Sequence, residues 1–238
     1  HAGLFPSPEM NLKTLKHWLK DNVNYLSVNV GFDVMSRDET LATLAAYRRW
    51  LLAHTDQFLL AEKLSDIDLA RSTGRLAISF DIEGMNALGG DINMVEIYHT
   101  LGVRQMLFAY NLNNAAAGGC HDADIPLTQF GIEILAEMNR VGIMVDASHT
   151  GYKTSMDLID RSGTPVVFSH SNPTSVWQHQ RNITDEQIQA CAARGGVVGL
   201  NGLAIFAGDN DSSSETLLRH LFRLIDIAGP AHVGLGLD

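Results

Sequence analysis

The chain is short of cysteine, of positive charge and of long apolar runs. Its only cysteines, Cys120 and Cys191, cannot make a disulfide scaffold and lack the close pairing of a zinc motif. As free thiols they read as small buried apolar residues. Lys and Arg number 17 against 27 Asp and Glu, a formal charge of −10. A phosphate backbone would be repelled by that balance, so nucleic acid is excluded as a partner. No run approaches the ~20 apolar residues that span a bilayer, so no membrane segment is expected. No secretory leader is visible, although the chain opens on His1-Ala2-Gly3 rather than Met, as if its natural start were missing. Compartment stays open on these grounds, with a cytoplasmic one favoured over an exported one. No G-x-G-x-x-G follows an apolar run, which argues against dinucleotide binding, and no G-x-S-x-G elbow offers a serine nucleophile.

What is present is a regular alternation. Short apolar, β-branched runs occur at Tyr25–Val30, Leu76–Asp81, Val103–Tyr110, Gly142–Ser148, Pro165–Ser169, Gly196–Asn201 and His232–Leu237. Each has the length and near-continuous apolarity of a strand buried on both faces. Between them lie segments with helical spacing: Asp38–Ala53, Gln57–Ser72, Asp91–Leu101, Phe130–Arg140, Tyr152–Arg161, Asp185–Arg194 and Ser213–Ala228. In the first of these, Leu41, Leu44, Ala45 and Leu51 or Leu52 form an apolar stripe with Arg48 and Arg49 turned away. Ser36 with Glu39 and Thr184 with Gln187 predict capping boxes. Strand–helix alternation gives a parallel sheet with helical crossovers. A weak candidate over Ala2–Phe5 brings the strands to eight, the number that closes a (β/α)8 barrel. The reading is therefore an α/β protein with one barrel domain over residues 1–238. The chain stops directly after the eighth strand, so a closing helix is expected to be missing.

In a barrel, catalytic groups come from the carboxyl ends of the strands. Here the third strand ends Asp81-Ile82-Glu83-Gly84, the fourth Ala109-Tyr110-Asn111, the fifth Asp146-Ala147-Ser148-His149 and the sixth Ser169-His170-Ser171-Asn172. The eighth ends on Asp238. Strands that merely run out into loops explain Asn and Ser, but not two histidines, a glutamate and an aspartate at matching depths. Two neutral imidazoles and a carboxylate, His149, His170 and Glu83, suit Zn²⁺, and three protein ligands with an open position mark a catalytic site. Such a metal lowers the pKa of water to about 7, and Asp238 is placed to take and return protons. Ser148 and Ser169 are expected to point to the other side of their strands.

These motifs carry a resemblance. FDIEG (80–84), LGVRQM (101–106), PLTQFGIEILAEMNRVGIMVDASHTG (126–151), PVVFSHSN (165–172), QRNITDEQI (180–188), GGVVGLNG (195–202) and HVGLGLD (232–238) resemble the membrane (renal) dipeptidases, peptidase family M19. The resemblance implies a zinc-dependent dipeptidase on an amidohydrolase-like barrel, which hydrolyses short peptides through metal-activated hydroxide. Glu83 corresponds to a carboxylate bridging two zinc ions, and His149 and His170 to the imidazoles completing the second ion's ligands. Asp238 corresponds to the aspartate that handles the proton and contacts the substrate's amino end. Arg181 corresponds to the arginine that grips its carboxylate, a task suited to a planar fork. Members often pair, so a homodimer is one assembly the resemblance allows.

Two departures stand out. The family's His-x-Asp on the first strand, which supplies the first metal, is absent, because the matching stretch reads His1-Ala2-Gly3 and glycine cannot ligate. Tyr110 replaces the histidine at the end of strand four; a phenol still donates to a developing oxyanion, without positive charge. The chain is similar to a bacterial branch with Ala-Tyr-Asn and Gly-Cys-His-Asp segments that also lacks the ordinary first-metal pair. One or two zinc ions are thus open, and His121 with Asp122 are candidate substitutes for the missing ligands. Two other readings stand beside the dipeptidase: an amidohydrolase-like enzyme acting on a non-peptide amide or specialised metabolite, and a non-catalytic descendant.

Overall fold

The computed structural model describes residues 3, 5–21 and 23–238. A short helix, α1 (Lys16–Lys20), leads into β1 (Tyr25–Phe32) and α2 (Arg37–Leu52). Then come β2 (Phe58–Leu60), α3 (Leu64–Ser72), β3 (Leu76–Glu83), α4 (Met94–Thr100), β4 (Val103–Leu107) and α5 (Gln129–Val141). The second half runs β5 (Met144–Asp146), α6 (Tyr152–Arg161), β6 (Val166–Val167), α7 (Asp185–Ala193), β7 (Val198–Leu200), α8 (Ala204–Ala207), α9 (Ser214–Ala228) and β8 (Val233–Leu235). The strands pair in parallel in the order β1-β3-β4-β5-β6, and a parallel bridge from Phe168 to Val198 carries the run on to β7 and β8. Parallel neighbours joined by helices need crossovers on the outside, which gives the barrel-type α/β architecture expected.

The strand expected over Ala2–Phe5 falls on Ala2 and Leu4, outside the described residues. Gly3 lies against the end of the chain: a Cβ there would come within 2.5 Å of Asp238 Oδ1.

Three expectations are corrected. Gln57–Ser72 is not one helix, since its first part forms β2 and only Leu64–Ser72 is helical. The reason is a backbone one. β4 pairs with β3 only from Phe80 onward, and Phe58–Leu60 pairs with Leu76–Ile78 before that point. Without β2 those buried backbone groups would lack partners. The stripe on α2 is also shifted. Its buried residues are Thr40, Thr43, Leu44, Tyr47 and Leu51, while Ala45 and Leu52 are exposed. The ring of Tyr47 fills the place assigned to smaller side chains. Third, the strands are not apolar on both faces. Along β3, Ile78, Phe80 and Ile82 join the apolar core, whereas Ser79, Asp81 and Glu83 alternate with them. Register sets Ser27 opposite Ser79 and Asn29 opposite Asp81. Ser27 Oγ donates to Asp81 Oδ2 at 2.5 Å, and Tyr25 and Ser79 share a hydrogen bond of 2.7 Å. One face of these strands is therefore a polar column, and the site stands at its end.

Both predicted capping boxes form, on α2 and α7. The strands at the rim are shorter than expected: β5 stops at Asp146 and β6 at Val167, because the residues beyond them turn their backbone groups to side chains. Ser148 and Ser169 each donate N–H to Asp146 Oδ1, at 2.9 and 3.1 Å. Where β6, β7 and β8 converge the backbones touch, and a Cβ on Gly199 would lie 2.0 Å from the Ser169 carbonyl oxygen.

Candidate metal centre

Glu83, His149 and His170 arrive from three strands of one sheet, β5 beside β6 and β3 one strand away across β4. Glu83 is the last residue of β3, His149 follows β5 by three residues and His170 follows β6 by three. Their donor atoms lie within 4.8 Å of one another, and they form the one group among the described residues with the geometry to hold a metal. His149 Nε2 and His170 Nε2 are 2.9 Å apart, and His170 Nε2 is 3.5 Å from Glu83 Oε1. Two imidazoles and a carboxylate converging on one point match the donor set of a catalytic metal site of the His₂Glu type. His121 and Asp122 do not join them. Asp122 accepts N–H groups of Ala123 and Asn113 in its own loop, at 2.8 and 3.3 Å, and the His121 ring stands edge-on to His179.

Local backbone strain helps aim the ligands. His149 has φ 64° and Asn111 φ 62°, left-handed values that non-glycine residues rarely adopt. Such outliers cost of order 1–3 kcal/mol each and persist only where surroundings over-determine them. Here Cys120 N–H donates to the His149 carbonyl at 2.9 Å, and His121 N–H donates to the Asn111 carbonyl at 2.8 Å. The strained pair is joined by its side chains as well, with His149 Nδ1 2.7 Å from Asn111 Oδ1. Tyr110, one residue before Asn111, stacks on the His149 ring with centroids 4.5 Å apart. Burial, then the charges of Glu83 and Asp238, push its phenol pKa up, so Tyr110 keeps its proton at neutral pH.

Arg181 is buried, with 2% of its surface exposed, and is not the solvated loop residue that lone arginines generally are. Its Nε lies 3.1 Å from His149 Nδ1, Nη1 donates to Ser171 Oγ at 3.1 Å and Nη2 to the His170 carbonyl at 2.9 Å. None of these is a carboxylate. Burial lowers its pKa, against the opposing influence of Cys120, Asp238, Glu83 and Asp146. Asp238 accepts a hydrogen bond from Asn201 Nδ2 at 3.1 Å. With Asn29, Glu83, Tyr110, Phe32 and Gly3 it lines a cavity of about 140 Å³. All six site residues read from the sequence thus lie on one rim.

Three positioning groups were not legible beforehand. Ser169 does not point away: its Oγ is 2.6 Å from His170 Nδ1 and 3.2 Å from Ser148 Oγ. Asp146 is buried beneath them. Asp33, just past β1, accepts N–H groups of Asn86 and Tyr110 at 2.9 and 3.0 Å and Asn114 Nδ2 at 2.8 Å. It crowds the end of β3 so closely that a Cβ on Gly84, itself at φ 125°, would sit 2.1 Å from its Cγ. Asp33 therefore ties the exit of β1 to the segments that carry Glu83 and Tyr110. An aspartate two residues before Ser-His was the one available signal for Asp146; nothing in the sequence marks Asp33.

Comparison with known proteins agrees with this geometry. The chain is 31% identical to an uncharacterized dipeptidase of Schizosaccharomyces pombe over 91% of its own length, but spans only 54% of that relative. An amidohydrolase from Pseudomonas aeruginosa has a crystal structure that superposes with a TM-score of 0.92 at 31% identity, covering 97% of this chain and 71% of that one. The crystal structure of a dipeptidase of metallopeptidase family M19 superposes with a TM-score of 0.82 at 27% identity, covering 90% of this chain and 70% of that one. The family model described as membrane dipeptidase, peptidase family M19, matches residues 9–238, well beyond the stretch from Leu76 that carries the motifs. The chain therefore belongs to the membrane dipeptidase family, peptidase family M19.

Proposed function

We propose that this chain carries the catalytic site of a zinc-dependent hydrolase that cleaves short peptides, dipeptides first among them. The observation that carries the reading is the convergence of Glu83, His149 and His170 next to a buried arginine that, among the described residues, no carboxylate in contact neutralises. Glu83, His149 and His170 would hold the zinc, which would supply a water of pKa about 7 and a Lewis acid for the amide carbonyl. The remaining work belongs to side chains. Arg181 supplies a planar, permanently charged fork for the substrate's carboxylate. Tyr110, protonated at neutral pH, donates to the oxygen on which charge develops. Asp238 takes the proton released by the attacking water and returns it to the leaving amine. The substrate's amino end carries three donors and needs acceptors. Asp238 and Asn29 offer them on the wall of the 140 Å³ cavity.

The experiment is metal analysis of the purified full-length protein together with a dipeptide panel assayed with added Zn²⁺. Bound zinc and turnover of at least one dipeptide are expected. A protein that binds no zinc, or binds it and cleaves no dipeptide, overturns the reading. The likeness to an amidohydrolase and the tyrosine at position 110 favour one alternative, hydrolysis of a non-peptide amide. That alternative is supported if zinc is bound and only non-peptide amides are cleaved.

A further inference from the structure

We infer that Asp146 and Ser169 act together as a hydroxyl-relayed carboxylate that fixes His170 in its Nδ1–H tautomer. Its bare Nε2 is thereby aimed at Glu83 and His149. The inference rests on the metal reading above, because it assigns a role toward the metal to two residues that do not touch it.

Asp146, 1% exposed, receives four donors: Gln105 Nε2 at 2.8 Å, Ser148 N at 2.9 Å, Ser169 N at 3.1 Å and Ser169 Oγ at 2.5 Å. A carboxylate has about four lone-pair sites, so these are filled and no place is left for a proton of its own. The hydrogen on the 2.5 Å contact must then come from Ser169, and the length is that of a charge-assisted O–H···O⁻ bond. A hydroxyl donates once. Toward its other neighbours Ser169 Oγ is an acceptor, and one of them is His170 Nδ1 at 2.6 Å. His170 Nδ1 therefore carries a hydrogen. A neutral imidazole has only one, so Nε2 presents a lone pair, 2.9 Å from His149 Nε2 and 3.5 Å from Glu83 Oε1.

The opposite arrangement fails on the same distances. If Ser169 turned its hydrogen to His170 Nδ1, two oxygens would face each other at 2.5 Å with nothing between them. Ser148 completes the frame: it lies 3.2 Å from Ser169 Oγ and accepts the His170 backbone N–H at 3.3 Å. The ring orientation and its tautomer are thus set from below by β5, while the ligand itself sits on the loop after β6. Outer partners of metal-bound histidines work in this way, and their removal typically weakens metal binding ~10–100-fold.

The test uses the full-length protein and two readouts other than turnover. In a chelator competition, Ser169→Ala is expected to bind zinc ~10–100-fold more weakly than wild type, and Ser169→Thr, which keeps the hydroxyl, to restore most of the loss. In metal-free wild-type protein, the ¹⁵N imidazole spectrum, with His170 assigned by loss of its signals in His170→Gln, is expected to show a protonated Nδ1. Unchanged zinc affinity in Ser169→Ala, or a proton on His170 Nε2, overturns the inference. If Ser169→Ala does not fold, Ser169→Thr and the wild-type spectrum decide in its place. Should wild type bind no zinc, the metal reading fails, while the spectrum still reports separately on the tautomer.

Discussion

The two flanks of the rim are built to different rules. On the flank of β5 and β6, the metal-facing rings are held from behind: His149 Nδ1 lies on Asn111, His170 Nδ1 on Ser169, and Arg181 places three of its five N–H donors on His149, Ser171 and the His170 carbonyl. On the flank of β1 and β8, a buried acceptor is left over. Asn29 Nδ2 donates to Asp81 Oδ1 at 3.1 Å and to the Gly31 carbonyl at 3.3 Å, which pins the amide, while its Oδ1 has no partner among the described residues. A metal ligand must be aimed before the ion arrives, because a loose ligand loses affinity to disorder. A surface that receives a substrate must keep unsatisfied groups for it. The first flank follows the first requirement and the second flank the other.

The most severe way to break this comparison is to remove the residue both flanks share. Glu83 belongs to the metal cluster and also lines the β1–β8 cavity. Glu83→Gln keeps the shape but replaces a ligating carboxylate by an amide. Zinc affinity is expected to fall more than ~100-fold, beyond the loss from an outer partner, with little change in melting temperature. Chelator competition beside a thermal melt measures both. A loss no greater than that of Ser169→Ala would show that the imidazoles, not Glu83, organise the centre.

A smaller effect tests the tie between the flanks. Asp33 takes three donors from the segments after β3 and β4. In Asp33→Asn an amide N–H₂ must face one of those donors, and leaving such a buried group unmade costs about 1–3 kcal/mol. Burial raises the pKa of Asp33 despite these hydrogen bonds. The folded protein therefore holds this proton to higher pH than the unfolded chain does. Stability from this group is present at low pH and is lost as pH rises from the ordinary carboxylate range through the raised value. The asparagine variant lacks that gain, so its deficit should widen as pH is lowered from 7 to 4, close to the ordinary carboxylate value of 3.8. Urea unfolding at the two pH values reads it, and a deficit that narrows would contradict the assignment.

How much of this was legible in the sequence follows from the same contrast. The metal flank was readable because its chemistry is written in residue types: histidines after VDAS and VVFS, and a glutamate after FDI, have few bland uses at strand ends. The alternating architecture was readable from period and length. The supports were not, because their roles depend on direction. Whether Ser169 faces His170 or the opposite side is fixed by where β6 stops, and β6 stops early because Asp146 captures the Ser169 N–H. β2 was hidden inside an apparent helix because three apolar residues fit either period, and only the unpaired start of β3 decides between them. Asn29 and Asp81 alternate with Val28 and Phe80 in runs that looked uniformly apolar, so the polar column was averaged away.

The mildest prediction concerns Asn29 itself. Its side chain makes two donor contacts and leaves one buried acceptor without a partner among the described residues. Deleting it in Asn29→Ala forfeits hydrogen bonds each worth about 0.5–1.5 kcal/mol net, but also removes an unpaired acceptor whose burial costs about 1–3 kcal/mol. The two nearly cancel, so stability should stay within about 1 kcal/mol of wild type, well short of the Asp33→Asn deficit. Zinc affinity should be unchanged, because Asn29 is not in the ligand cluster. KM for any peptide the enzyme cleaves should rise, because an acceptor for the amino end is gone. Urea unfolding, chelator competition and steady-state kinetics on one preparation separate the three. A variant that loses zinc as Ser169→Ala does would erase the distinction between the flanks, since the β1 side would then be helping to hold the metal.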